Sequence, residues 1–175
     1  MIVADTGAMI ALFDRTDRHH DDVRALFEAE SDSWVLPWAV LPEIDYLVSS
    51  HLGARAQELW LADLASGAFD VEWGTRADLA EADRLCRQYA ALRLGLTDAV
   101  VIAVAQRLGA AAIATLDLRH FGAVAIRGNP ALVPRDLAPA AGRGRRQEAT
   151  AQSPQRASGA TRWPRRPRAR RPPAS

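Results

Sequence analysis

The sequence predicts an α/β fold in three layers, with a central parallel sheet of about four to five strands and helices on both faces. Short apolar runs alternate with segments of helical periodicity over residues 1–137. Parallel strands need a long crossover, which a helix supplies, so this alternation favours a parallel sheet. A chain of 175 residues is long enough for one globular domain with a sizeable core.

The first third of the chain predicts two strands and three helices. Asp17 is placed to cap the second helix. Pro42 suits the first turn of the third helix, and Gly53 ends it. The expected order is strand 2–5, helix 8–13, helix 18–29, strand 34–37 and helix 42–52.

The pattern continues through the rest of the domain. Gly67 and Gly109 each follow the last turn of an expected helix. Thr75 and Asp78 have the spacing of a capping box, which starts a further helix. The expected order is helix 54–65, strand 69–73, helix 75–91, helix 97–108, strand 112–116 and a last strand at 122–126.

Four carboxylates occupy places where a chain has reason to avoid charge. Asp5 and Asp117 end apolar runs, Asp98 precedes the apolar segment 99–105, and Glu43 follows a proline at a helix start. Taken singly, each has a structural explanation as a cap, a helix-dipole partner or a turn residue. Together they are expected at the carboxyl edge of the sheet, where open α/β sheets bind ligands. This shared placement predicts one acidic cleft.

Converging carboxylates need compensation, because an isolated buried charge is strongly unfavourable. The cation that carboxylate oxygens suit best is Mg²⁺, with Mn²⁺ as an alternative. Such an ion polarises a phosphate and activates a water, so the acids predict a metal-dependent phosphodiester hydrolase. We expect Asp5 and Asp98 to be direct ligands, with Glu43 and Asp117 completing the shell or orienting the water.

Other polar residues lie close to these acids in the sequence. Thr6 and Thr115 are expected to position water or phosphate through their hydroxyls. His120 either approaches the cleft or serves packing or RNA contact, and Arg119 is placed to contact phosphate. Asp45 is expected to project away from the cleft, because residues two apart on a helix point in different directions.

Charge is unevenly distributed along the chain. Residues 138–175 hold ten arginines and one glutamate, a formal charge of +9, whereas residues 1–137 carry −8. Prolines, like charges and scarce aliphatic residues predict that residues 138–175 form a disordered tail. The tail is either a basic arm that holds nucleic acid through phosphate charge or an incidental extension.

Composition and the amino terminus exclude several classes of protein. Cys86 is the single cysteine, which rules out an internal disulfide framework and a Cys-rich zinc site. The start lacks the basic region of a signal peptide, and the longest apolar candidate, residues 99–105, is too short for a membrane span. We therefore expect a cytoplasmic protein without a membrane partner.

The segments around the four acids resemble the PIN-domain ribonucleases, and most closely the VapC-type toxins of bacterial toxin–antitoxin pairs. They have the family's order and spacing and span residues 1 to about 135. One departure is Gly7, where many relatives carry a small hydroxyl residue. The matching segments are Ile2-Val-Ala-Asp5-Thr-Gly-Ala-Met-Ile-Ala-Leu-Phe13, Leu41-Pro-Glu43-Ile-Asp-Tyr-Leu47, Leu94-Gly-Leu-Thr-Asp98-Ala-Val-Val-Ile-Ala103 and Ala114-Thr-Leu-Asp117-Leu-Arg-His-Phe121.

The resemblance implies a PIN-like fold for residues 1–137 and endonucleolytic cleavage of RNA. It implies an acidic Mg²⁺ site formed by Asp5, Glu43, Asp98 and Asp117. It further implies a cognate antitoxin that blocks the cleft, and a homodimer.

Two other functions compete with this interpretation. A receiver-like domain that accepts a phosphoryl group needs a distal lysine, and the sequence contains no lysine. A catalytically inactive PIN-like module would bind RNA or protein without cutting. Such a binder has no need of clustered negative charge facing phosphate, so the four acids favour the nuclease.

Overall fold

Five parallel strands form one sheet within residues 1–136, the part of the chain that the computed structural model describes. The strands are β1 (Ile2–Ala4), β2 (Trp34–Pro37), β3 (Asp70–Glu72), β4 (Ala112–Ala114) and β5 (Ala131–Val133). The helices are α1 (Thr6–Phe13), α2 (His20–Glu30), α3 (Leu41–Leu47), α4 (Ala54–Ala65), α5 (Arg76–Gln88), α6 (Leu96–Leu108) and α7 (Leu118–Phe121). Short 3-10 turns lie at Ser31–Ser33, Trp38–Val40 and Ala90–Leu92, and a π-helical turn at Val48–Leu52. The predicted α/β class and parallel sheet are confirmed.

The strand order is β3-β2-β1-β4-β5, with β1 at the centre. Ile2 pairs with Trp34 of β2 on one side and with Ala112 of β4 on the other. The chain therefore builds outward in one direction from β1 to β3 and in the opposite direction from β4 to β5. In an open parallel sheet this reversal leaves a crevice at the carboxyl ends of the two central strands. The crevice lies between β1 and β4.

The core is built from apolar side chains on both faces of the sheet. Helix α6 is buried from Ala99 to Ala105, all at 2 % exposure or less. A helix that is apolar on every side is enclosed by protein, and α6 is enclosed by α5, the sheet and the neighbouring turns. The indole of Trp60 packs against the rings of Phe13 and Phe69, with centroids 5.5 Å apart in both pairs. This aromatic cluster packs the C-terminal end of α1 against α4.

The last strand lies later in the chain than the sequence predicted. Residues 122–126 form a turn, a bend and irregular backbone, and the fifth strand is Ala131–Val133. Gly122 ends α7, and the Ala123 N–H bonds to the His120 carbonyl, so the chain is still turning where a strand was expected. The sequence did not predict β5, because a strand of three residues between two prolines has only a weak sequence pattern.

The second helix also begins later than predicted. Asp17 accepts a hydrogen bond from the His19 N–H at 2.7 Å, which holds a turn, and α2 starts at His20. No helix among residues 1–136 is long and apolar enough to cross a membrane. The predicted disorder of the tail at 138–175 falls outside the described residues.

Candidate active site

The structure places all four predicted acids around the crevice between β1 and β4. Asp5 directly follows β1 and caps α1, and Asp117 caps α7 three residues after β4. Asp98 and Glu43 lie in the first turns of α6 and α3. Because helix N-termini carry partial positive charge, each position favours a carboxylate. The expected convergence of the four acids is found.

Asp5 is the most deeply buried of the four, with 5 % of its surface exposed. Its Oδ1 accepts the Thr6 N–H at 2.7 Å, and its Oδ2 accepts the Thr115 hydroxyl at 2.9 Å. Its own N–H donates to the Ala114 carbonyl at 2.9 Å, which extends the ladder between β1 and β4. These bonds fix the carboxylate at the bottom of the crevice.

Both predicted threonines bond directly to the acid cluster. The Thr6 hydroxyl donates to Glu43 Oε2 at 3.0 Å and so ties α1 to α3. Thr115 donates to Asp5 and accepts the Asp117 N–H at 3.0 Å. The hydroxyls therefore orient the carboxylates, while a role toward water or phosphate stays a prediction.

His120 joins the outer part of the cluster. Its Nδ1 lies 3.0 Å from Asp98 Oδ2 and 2.9 Å from Asp117 Oδ2. Its side chain is 17 % exposed, against 20 % for Asp98 and 39 % for Asp117. Of the alternatives left open by the sequence, the structure favours approach to the cleft. The signal was the spacing of three residues from Asp117 on a helical turn, which places both side chains on one face.

Burial, reinforced by neighbouring negative charges, raises the pKa of two acids. Burial raises the pKa of Asp5 to about 6, despite the Thr115 hydrogen bond, and the charges of Asp98 and Glu43 add to the rise. Burial also raises the pKa of Asp98, opposed by His120 and reinforced by Asp117 and Glu43. Raised acid pKa values mean that the ionised cluster is destabilised without a cation.

The donor set fits a divalent cation. Oxygen ligands from several carboxylates suit Mg²⁺ or Mn²⁺. Asp98, Asp117 and His120 present ligand atoms within 4.8 Å of one another. The Nδ1 atom of His120 is buried and has no hydrogen-bond partner, which leaves one nitrogen available at this cluster. A cation here would compensate both the burial of the carboxylates and their mutual repulsion.

Three further residues singled out in the sequence have defined places. Asp45 Oδ2 accepts a bond from Gln57 Nε2 at 2.9 Å, so this acid serves a contact between α3 and α4. Arg119 is exposed and uses its backbone N–H to bond Asp117 at 3.0 Å. A Cβ on Gly7 would lie 3.7 Å from the Leu116 Cβ and 3.8 Å from Asp5 Oδ2, so the site has room for a methyl group at this position.

Comparison with known proteins places these features in a family. The family model described as PIN domain matches residues 2–126. Ribonuclease VapC26 of Mycobacterium tuberculosis is 33% identical over 123 residues, which cover 70% of this chain and 91% of that protein.

Two solved structures share the fold. VapC20 of Mycobacterium tuberculosis, named as a toxin that cleaves the sarcin–ricin loop, matches with a TM-score of 0.62 and 23% identity. That match covers 71% of this chain and 97% of VapC20. FitAcB from Neisseria gonorrhoeae matches with a TM-score of 0.54 and 16% identity, over 75% of this chain and 96% of that one. At these identities the two structures support the fold alone.

Proposed function

The chain belongs to the PIN domain family, and from that premise we propose that it is a metal-dependent endoribonuclease. We propose further that it acts as the toxin of a toxin–antitoxin pair. The observation that carries the proposal is the convergence of Asp5, Glu43, Asp98 and Asp117 on one crevice, where their charges interact. A fold gains nothing from gathering four carboxylates in a partly buried crevice without compensating charge, so the cluster points to a bound cation.

Each acid has a separate part in the proposed centre. Asp5 and Asp98 are the direct ligands, because they are buried more deeply in the crevice than Glu43 and Asp117. Glu43 and Asp117 complete the shell or hold the attacking water. Mg²⁺ is the proposed ion and Mn²⁺ the alternative. When bound, the ion would neutralise charge on the scissile phosphate and acidify a water, which is the chemistry of metal-assisted hydrolysis.

The protein's own groups position this chemistry. The Thr115 hydroxyl donates to Asp5 and accepts from the Asp117 backbone, so the two acids keep a fixed relation. Thr6 holds the carboxylate of Glu43 in the same way. Arg119 is exposed beside the cluster, where a cation attracts an anionic substrate into an acidic cleft.

RNA is the substrate class that the relatives support. VapC26, which is 33% identical to this chain, is named as a ribonuclease. A cognate antitoxin that covers the crevice and a homodimer are the proposed partners, in the cytoplasm. Exposed apolar side chains are available for such contacts: Tyr46 on α3 is 69% exposed and Leu61 on α4 is 50% exposed.

The test is cleavage of total cellular RNA by the purified full-length chain. We expect discrete fragments with Mg²⁺, none with EDTA, and none with Asp98→Asn. Asp83→Asn is the matched control, because it makes the same chemical change at a 57% exposed acid on α5, paired with Arg87 and outside the cluster. Intact RNA from a folded preparation that binds no divalent ion would reject the nuclease and favour the inactive binding module.

A further inference from the structure

We propose that His120 is a direct ligand of the divalent cation through Nδ1, so that the centre is a mixed oxygen–nitrogen site that favours Mn²⁺ over Mg²⁺. The inference rests on the proposed function, since it concerns the same ion. It adds a residue that lies outside the four acids and assigns a metal preference to the site.

The hydrogen bond on the far side of the ring fixes the tautomer of His120. Nε2 lies 3.1 Å from the Leu92 carbonyl oxygen. A carbonyl oxygen only accepts hydrogen bonds, so Nε2 carries the proton and donates it. In the neutral imidazole the lone pair is then on Nδ1, the atom that faces Asp98 and Asp117. Metal-binding histidines in proteins are held in this way, with the other ring nitrogen donating to a carbonyl or carboxylate.

The Nδ1 atom of His120 makes no hydrogen bond. It is buried, and neither neighbouring carboxylate oxygen lies in the direction of a hydrogen bond from it. Its neighbours at 3.0 Å on Asp98 and 2.9 Å on Asp117 are acceptors when ionised. A nitrogen lone pair and two carboxylate oxygens converge here, and a shared cation would satisfy all three atoms at once.

The spacing of these three atoms suits an octahedral ion. Ligands at about 2.1 Å from Mg²⁺, or slightly more from Mn²⁺, are separated by about 3.0 Å when they occupy adjacent corners. The two observed separations from Nδ1 are 3.0 Å and 2.9 Å. Both carboxylate oxygens therefore lie at the distance from Nδ1 that neighbouring ligands of one ion would have, and all three ligand atoms lie within 4.8 Å of one another.

The surrounding backbone holds the group in place. Asp117 Oδ1 accepts the N–H groups of Arg119 and His120 at 3.0 and 3.1 Å, so the carboxylate is locked to the turn that carries the imidazole. The Leu92 carbonyl belongs to a 3-10 turn between α5 and α6. Asp98 lies in the first turn of α6, close after that turn. The hydrogen bond from Nε2 to the Leu92 carbonyl therefore holds the imidazole ring on the side opposite the acids.

A nitrogen ligand changes which ion the centre prefers. Mg²⁺ favours an all-oxygen shell, whereas imidazole suits transition metals, for which affinity rises from Mn²⁺ along the series. Removal of the imidazole should therefore weaken Mn²⁺ binding at least tenfold and weaken Mg²⁺ binding less. The ratio of the two affinities is the quantity that separates a ligand from a packing residue.

The first experiment needs no variant. Mn²⁺ is added to the metal-free full-length chain, and electron spin-echo spectra are recorded with ordinary histidine and with ¹⁵N-labelled histidine. We expect nitrogen modulation whose frequency changes with the label. Bound Mn²⁺ without nitrogen modulation would overturn this inference and leave the nuclease proposal standing. Failure to bind Mn²⁺ would also overturn this inference, and failure to bind Mg²⁺ as well would overturn both.

The second experiment assigns the nitrogen to His120. Calorimetric titration with Mn²⁺ and with Mg²⁺ is compared for wild type, His120→Gln and the control His51→Gln, an exposed histidine in the π-helical turn. We expect His120→Gln to lose the nitrogen modulation and the Mn²⁺ preference, and His51→Gln to keep both. Equal losses for the two ions, or modulation that survives in His120→Gln, would contradict direct ligation.

Discussion

The substitution Asp5→Asn should stabilise the metal-free protein at neutral pH. Burial raises the pKa of Asp5 from its usual 3.8 to about 6. With a raised folded-state pKa, the residue contributes stability that is present in full below about pH 4 and is lost as the pH rises through about 6. The asparagine is never ionised, so it escapes this loss. Its Oδ1 can accept the Thr6 N–H, and its amide can donate to the Thr115 hydroxyl.

The size of the effect follows from the shift. About two pKa units correspond to about 3 kcal/mol in the free energy of unfolding, at 1.36 kcal/mol per unit. For a domain of this size, that is a rise of about 10 °C in Tm. The difference between Asp5→Asn and wild type should be smallest near pH 4 and should reach its full value by pH 7.

The assay is urea and thermal unfolding in EDTA from pH 4 to pH 8. Asp14→Asn is the control, because the Thr16 hydrogen bonds lower the pKa of Asp14 and its removal should bring no gain at neutral pH. Added Mg²⁺ should stabilise wild type and reverse the order of the two proteins, since a ligand of the native state raises its stability. An Asp5→Asn protein whose stability relative to wild type does not change with pH would refute the electrostatic reasoning.

Three further changes test the supporting structure. Thr6→Val removes the hydroxyl that donates to Glu43 and should slow RNA cleavage about tenfold, as expected for one hydrogen bond to a charged group, with an unchanged circular dichroism spectrum. Gly7→Ala should raise the free energy of unfolding by about 0.5–1 kcal/mol, because Gly7 is helical and an added Cβ meets no atom closer than 3.7 Å; a loss of stability in urea unfolding would contradict this. Arg107→Met removes the charged hydrogen bond to the buried Asp78 and should lower the free energy of unfolding by about 1.5–3 kcal/mol in the same measurement. An unchanged free energy of unfolding would show that the capping Thr75 alone satisfies Asp78.

The parallel sheet and the acid cluster could be predicted because both have local signals. Asp5 and Asp117 end strand runs, and parallel strands bring their carboxyl ends to the same edge. Asp98 begins a helix that is apolar on all sides, so its depth in the fold followed from its sequence neighbours. Glu43 was singled out by its place directly after Pro42, and it lies in the first turn of α3, where the helix dipole favours a carboxylate.

The features that could not be predicted depend on contacts between residues far apart in the sequence. The partner of His120 Nε2 is a carbonyl 28 residues earlier, on Leu92, and no periodicity indicates such a bond. The threonine hydroxyls bond acids 37 and 110 residues away along the chain, so their role as holders of carboxylates appears only in the folded state. The fifth strand was misplaced for the same reason, since a three-residue strand is defined by its pairing with β4.

The central claim is that the acid cluster binds the ion that drives RNA hydrolysis. Its most direct test is to titrate the same protein with the metal ion in two measurements. Calorimetry gives the Kd of the ion, and single-turnover cleavage of RNA gives the concentration for half-maximal rate. If the acid cluster holds the ion that drives hydrolysis, the two values agree, and Asp98→Asn weakens binding and abolishes cleavage together. Cleavage that persists in EDTA, or saturated metal binding without any cleavage of RNA, would contradict the account.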